Sequence, residues 1–180
     1  MSEFEKLTDK INLIGSPTEN EFTENKWELF ENTNGIKFPA AYKNFINYYG
    51  TGCLCELIWV LNPFSNSKRF NLLSYLEDKK KAFTTFEEIT KEKYPYSLFH
   101  EGKGILPFAF TDNGDTFYWE ITSSKSKEYK ILLFDGRELL IEEYSIGFSE
   151  LLLQILNKSL KTNIINKDDI RGCNFNPLSV

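Results

Sequence analysis

The chain has 180 residues, of which 41% are hydrophobic, 26% charged and 16% aromatic, and its formal net charge is −5. That length supports one domain with a core of useful size, and the acidic balance argues against a nucleic acid or an anionic membrane surface as partner. No apolar run is long enough to span a bilayer, the opening MSEFEKLTDK is too polar and acidic for a leader, and a cytosolic protein is expected.

In chain order, Phe4, Leu7, Ile11 and Ile14 recur at helical spacing, so a short amphipathic helix is expected over residues 1–14. Ser16-Pro17-Thr18-Glu19 has the pattern of a helix start, with Ser16 as cap, Pro17 in the first turn and Glu19 reaching back. This helix is expected to run through Phe22, Trp27 and Phe30 to about Thr33, and to end at Asn34-Gly35. The next stretch, GIKFPAAYKNFINYYGTG, reads as a central helix. Pro39 opens it, Phe38, Ala41, Tyr42, Phe45 and Tyr49 form one apolar face, and Gly50 stops it.

Cys53 to Leu61 is an almost unbroken apolar run closed by Pro63, which predicts one buried strand, with Trp59 as a core aromatic. Residues 71–91 form the longest helical pattern, with Leu72, Leu76, Phe83, Phe86 and Ile89 inward. Lys79-Lys80-Lys81 lies within it, but residues 66–103 carry 8 basic and 6 acidic side chains, so the triplet reads as a solvated face. Two hairpins follow. Ile105–Phe110 and Thr116–Thr122 flank the turn Asp112-Asn113-Gly114-Asp115; Tyr129–Phe134 and Leu139–Tyr144 flank Asp135-Gly136. Ser145 to Asn157 is a last helix, with Phe148, Leu151, Leu152 and Ile155 inward, and the polar tail from Asn163 reads as irregular. The pattern is α+β: a largely antiparallel sheet with helices packed on it. One domain is expected over residues 1–160, with residues 161–180 as a C-terminal extension.

Catalytic chemistry finds little footing. The only histidine, His100, sits beside Glu101 in a loop with no G-x-S-x-G serine elsewhere, and G-x-x-x-x-G-K-[ST] and G-x-G-x-x-G are both absent. Cys53, Cys55 and Cys173 are an odd set, and Cys-x-Cys with one histidine lacks the four ligands of a structural zinc. Asp112 and Asp115 resemble a fragment of a calcium loop that does not continue to the required Gly and Glu. Glu142 and Glu143 are consecutive on a strand and face opposite ways. No cofactor, metal or catalytic residue is therefore expected.

The order of these motifs resembles the SUKH superfamily, which includes bacterial immunity proteins and a yeast cell-wall-synthesis regulator. Phe38-Pro39, Tyr42, Phe45 and Gly52 match its Leu/Phe-Pro helix and glycine end, and Gly35-Ile36 matches the joint before it. Pro107, Gly114 and Asp115 match its hairpin, and Phe148, Glu150 and Leu151 its closing helix. Ala109-Phe110 replaces the glycine often found after Pro-Phe, and Tyr48-Tyr49-Gly50-Thr51 replaces Tyr-Asn-Gly-Gly. The resemblance spans residues 16–157. It implies an α+β domain without a catalytic set, acting as an immunity protein that binds and neutralises a polymorphic toxin, such as a nuclease, in the cytoplasm. An acidic chain suits a basic toxin domain as partner. Asp112, Asp115, Glu120, Glu142 and Glu143, on the hairpin side, are the expected contacts. A non-enzymatic adaptor or regulatory module is the alternative, and an enzyme the weakest reading.

Overall fold

The computed structural model of the protein describes residues 2–123, 129–136 and 140–178. Helix α1, Glu3–Lys10, begins with a reciprocal cap: the Glu5 amide donates to Ser2 Oγ at 3.2 Å, and the Ser2 amide donates to Glu5 Oε2 at 2.6 Å. It stops short of residue 14 because Asn12–Leu13 is strand β1: the Asn12 amide donates to the Cys173 carbonyl and the Ile14 amide just after the strand to the Phe175 carbonyl.

The helix expected from Pro17 is corrected. Helix α2 is Glu24–Asn34, capped by Thr23, and Glu19 and Glu21 before it have φ of 53° and 64°. Tertiary hydrogen bonds win over local capping here. Thr51 Oγ1 donates to Glu19 Oε2 at 2.6 Å and the Asn66 amide to Glu19 Oε1 at 2.7 Å. Asn62 Nδ2 donates to the Glu19 carbonyl at 2.8 Å, and the Thr51 amide donates to the Thr18 carbonyl. Partial burial works to raise the Glu19 carboxyl, but hydrogen bonds from Ser65, Thr51 and Asn66 outweigh it and hold it below its ordinary value of 4.5. The folded form therefore binds this proton less readily than the unfolded chain. The resulting stability is present above about pH 4.5 and lost as pH falls through the lower folded value. Glu19→Gln should flatten this acid limb: its urea midpoint should fall less than that of the wild type between about pH 6 and about pH 3.

Helix α3, Ala40–Tyr49, follows Pro39 and ends at Gly50, as the sequence predicts. Tyr42, Phe45, Ile46 and Tyr49 are buried along it, and the Tyr42 hydroxyl donates to the Leu61 carbonyl. Glu31 ties α2 to α3. It is buried, accepts the Phe38 amide at 2.8 Å and pairs with Lys37 at 3.1 Å.

The single strand expected over 53–61 is two strands, β2 (Gly52–Leu54) and β3 (Ile58–Val60). The turn between them is closed by the Leu57 amide on the Leu54 carbonyl. Cys55 and Glu56 there have φ of 48° and 57°, the sign pattern of a type I′ turn made without Asn or Gly. Helix α4, Leu72–Thr90, is capped by Asn71, whose Oδ1 accepts the Leu73 and Ser74 amides. Ile89, expected inward, is instead exposed.

Strands β4 (Gly104–Thr111), β5 (Thr116–Ile121), β6 (Lys130–Phe134) and β7 (Ile141–Tyr144) form the expected meander; Leu139, expected to start β7, lies outside the described residues. Helix α5 is Phe148–Leu156. The tail expected to be irregular supplies strand β8, Asn174–Pro177. The sheet order is β1-β8-β2-β3-β4-β5-β6-β7, antiparallel throughout except for the β1/β8 pair. Phe175 is fully buried against Phe45 and Tyr49, with ring centroids 5.7 and 5.0 Å away.

Side-chain alternation divides the sheet. One face carries Phe108, Phe117, Trp119, Ile131 and Leu133 into the main core, shared with Leu7, Trp27, Tyr42, Phe45 and Leu151 from α1, α2, α3 and α5. The opposite face carries Ile105, Tyr118, Leu132 and Phe134 into a smaller cluster with Phe83 of α4 and with Tyr94 and Tyr96. Ile141 of β7 packs against this second layer, and Tyr96 from it reaches Glu143.

Candidate interaction surface

The sequence points to five acidic residues, and the fold separates them into four places. Asp112 sits in the β4–β5 turn, where its Oδ1 accepts Trp59 Nε1 at 2.9 Å and lies 3.7 Å from Arg69. Trp59 is half-buried and stacks on Phe70 at 4.6 Å between centroids, and the Arg69 guanidinium lies 5.3 Å from the Phe70 ring centre. Asp115, expected among the exposed acids, is buried. Its carboxylate accepts Thr111 Oγ1 at 2.7 Å and its amide donates back to the same hydroxyl oxygen, so it holds the turn from inside.

Glu120 and Glu143 come together at one end of β5, β6 and β7. Register places Glu120 opposite Lys130, and the face shared by alternate strand positions brings Glu143 to the same lysine. Lys130 Nζ lies 3.2 Å from Glu120 and 3.0 Å from Glu143, and Tyr96 donates to Glu143 at 2.6 Å. The hydrogen bonds from Tyr96 and Lys130 hold the Glu143 carboxyl below its ordinary value, and Glu143 and Glu120 raise the Lys130 ammonium above its own. Two carboxylates share one cation, so this cluster keeps a net negative charge near neutral pH. Lys130 and Tyr96 carry no signal in the sequence, because their proximity to Glu143 depends on strand register and on where the chain after α4 lies.

Glu142 points to the other face, as its neighbour's orientation requires. Its Oε1 accepts the Asn163 amide at 2.7 Å; its Oε2 accepts Thr162 Oγ1 and the Tyr144 hydroxyl, each at 2.6 Å. Burial works to raise the Glu142 carboxyl, and these bonds outweigh it and lower it. Glu142 therefore anchors the segment after α5, while Glu143, with half of its side chain exposed, faces solvent.

The groups that could carry covalent or metal chemistry are placed differently. His100 is exposed, 3.7 Å from an equally exposed Glu101. Burial pushes the Cys53 and Cys55 thiols up to about 12, so neither supplies a thiolate near neutral pH. Among the described residues no group of three or more His, Cys, Asp or Glu side chains is placed to hold a metal ion, and no helix is long and apolar enough to cross a membrane.

Comparison with known proteins gives one finding. The family model SUKH_6, described as SMI1-KNR4 cell-wall, matches residues 24–152. No curated protein and no solved structure matches the chain significantly. The matched residues run from the start of α2 into α5 and include the whole β2–β7 part of the sheet, with Glu120, Lys130, Glu142 and Glu143. Because that match covers well over half of the chain, the protein belongs to the SUKH_6, or SMI1-KNR4, family.

Proposed function

We propose that this protein is an immunity protein: it binds a cognate toxin domain in the cytoplasm and neutralises it by covering its active surface. The observation that carries this reading is the family membership over α2 to α5, since toxin immunity is a common role of SUKH domains. The arrangement of charge supports it. The chain is acidic, and the solvent-facing cluster of Glu120 and Glu143 around Lys130 keeps one carboxylate in excess, which favours encounter with a basic surface. The chemistry of inhibition is steric and needs no catalytic group on this chain. A nuclease is the toxin class that fits, because its active surface is basic.

The direct test is co-expression with the C-terminal domain of a long reading frame adjoining this gene; a locus with no such frame would count against the reading. The protein should restore growth of cells expressing that domain and should co-purify with it. Continued growth arrest and no complex would overturn the reading. The description SMI1-KNR4 cell-wall favours a second reading, a non-enzymatic regulatory module. It predicts capture of an endogenous partner in cells that carry no toxin locus.

A further inference from the structure

Strand β7 closes one end of the sheet order, and among the described residues it has a neighbour, β6, on one side only. The Asp135 amide donates to the Leu140 carbonyl at 2.9 Å, which makes 135/140 a hydrogen-bonded pair. Bonded and non-bonded pairs alternate in an antiparallel ladder, so Glu142 and Tyr144 bond toward β6. The N–H and C=O groups of Ile141 and Glu143 then point away from the sheet. No described residue supplies them with a backbone partner. These four groups are a short template for another strand.

Beside this edge, on the α4 side of the sheet, lies a recess of about 160 Å³. It is lined by Phe86, Tyr94, Pro95, Phe134 and Ile141, together with Glu92 and Lys93. A cavity of that order takes a benzene-sized group. Leu140 just before the strand and Ile89, one helical turn from Phe86, are exposed by 41% and 75%, large values for apolar side chains. Ile141 and Glu143 share a face, so a strand laid along the edge would set one side chain beside the recess. The side chain two positions away would lie against Glu143 and the carboxylate excess around Lys130.

We propose that β7 is the docking edge for the toxin domain, which adds an extended segment to the sheet with an apolar side chain in the recess and a lysine or arginine two residues away against Glu143. Main-chain bonds supply affinity and the alternating side-chain contacts supply selectivity. A second copy of this chain is the poorer occupant. Paired about a two-fold axis at Glu142 or at Glu143, two β7 strands would set that glutamate against its own counterpart, and like charges directly opposite are destabilising. This inference rests on the immunity reading, and its test separates the two.

Amide hydrogen exchange is followed in the free protein and with the C-terminal domain of a long reading frame adjoining this gene, alongside growth rescue and the affinity of Ile141→Pro. The Ile141 and Glu143 amides should exchange quickly in the free protein and at least tenfold more slowly in the complex. Ile141→Pro, which removes an outward amide, should bind about tenfold more weakly or worse. The exchange measurement on the wild type stands whether or not that variant folds. If the wild type binds and rescues growth while both amides exchange as fast in the complex as alone, the edge is not the docking site and the immunity reading survives. If the wild type neither binds nor rescues, both readings fall. Concentration-dependent protection of the same amides in the isolated protein would give the edge to a second copy and overturn the proposal.

Discussion

Replacing Gly50 by alanine should destabilise the protein by more than about 3 kcal/mol. Gly50 ends α3 with φ 70° and ψ −146°, a backbone region that only glycine enters without strain. A Cβ there would stand 1.8 Å from the Thr18 carbonyl oxygen and 2.9 Å from its carbon. Both are backbone atoms, held in place because the Thr51 amide donates to that same carbonyl. Relief would require separating the Thr18–Glu19 segment from the end of α3, and with it the hydrogen bonds Glu19 accepts from Thr51 and Asn66. Gly35→Ala is the control. Gly35 caps α2 with φ 65° and ψ 26°, and no atom lies within 4 Å of its added Cβ. It should cost only about 1–2 kcal/mol. Urea unfolding of the two variants measures the difference. Equal midpoints would mean that the Thr18 contact does not matter.

Trp119→Ala should cost about 3–5 kcal/mol, enough to leave much of the protein unfolded if its total stability is near the low end of the usual range. Trp119 lies on the main-core face of β5 and is 1% exposed. Its ring stacks on Phe108 at 4.4 Å and meets Tyr42 edge-on at 4.9 Å, with Phe38 at 6.0 Å. It thus joins the meander to α3 and to the joint before it. Removal leaves a cavity among rings on three separate elements, which cannot collapse into it together. Trp119→Phe keeps an aromatic contact and should lose less than half as much. The measurement is the denaturant midpoint followed by far-ultraviolet circular dichroism.

The parts of the fold that the sequence discloses are those fixed by nearby residues. Asn113-Gly114 marks the β4–β5 hairpin, Pro39 and Gly50 bracket α3, and the 71–91 pattern matches α4 within a residue at each end. The misread parts are governed by distant partners. Ser16 and Glu19 have the spacing of a cap, but the Glu19 carboxylate serves Thr51 and Asn66, and Thr23 caps the helix instead. The turn at Cys55-Glu56 is hidden because neither residue is a usual choice for positive φ. The tail looks irregular because a four-residue strand with two asparagines and a proline has little pattern of its own. At the surface, the opposite orientation of Glu142 and Glu143 is legible from strand periodicity. The sharing of Lys130 between Glu120 and Glu143 is not, since it depends on the β5–β6–β7 register.

Strand β8 reaches β1 across 162 residues, from Asn174 back to Asn12, and lies between β1 and β2. During synthesis on the ribosome, the β3–β7 meander can assemble from local pairings long before Phe175 leaves the exit tunnel. Until then β2 has a bare flank, and Phe45 and Tyr49 lack the ring that covers them. Closing so long a loop adds little to the entropic cost, which grows only logarithmically with length. What it lengthens is the interval in which a nascent chain carries an unprotected strand edge, the condition under which neighbouring polypeptides aggregate. For this topology the hazard lies in its birth more than in its finished stability.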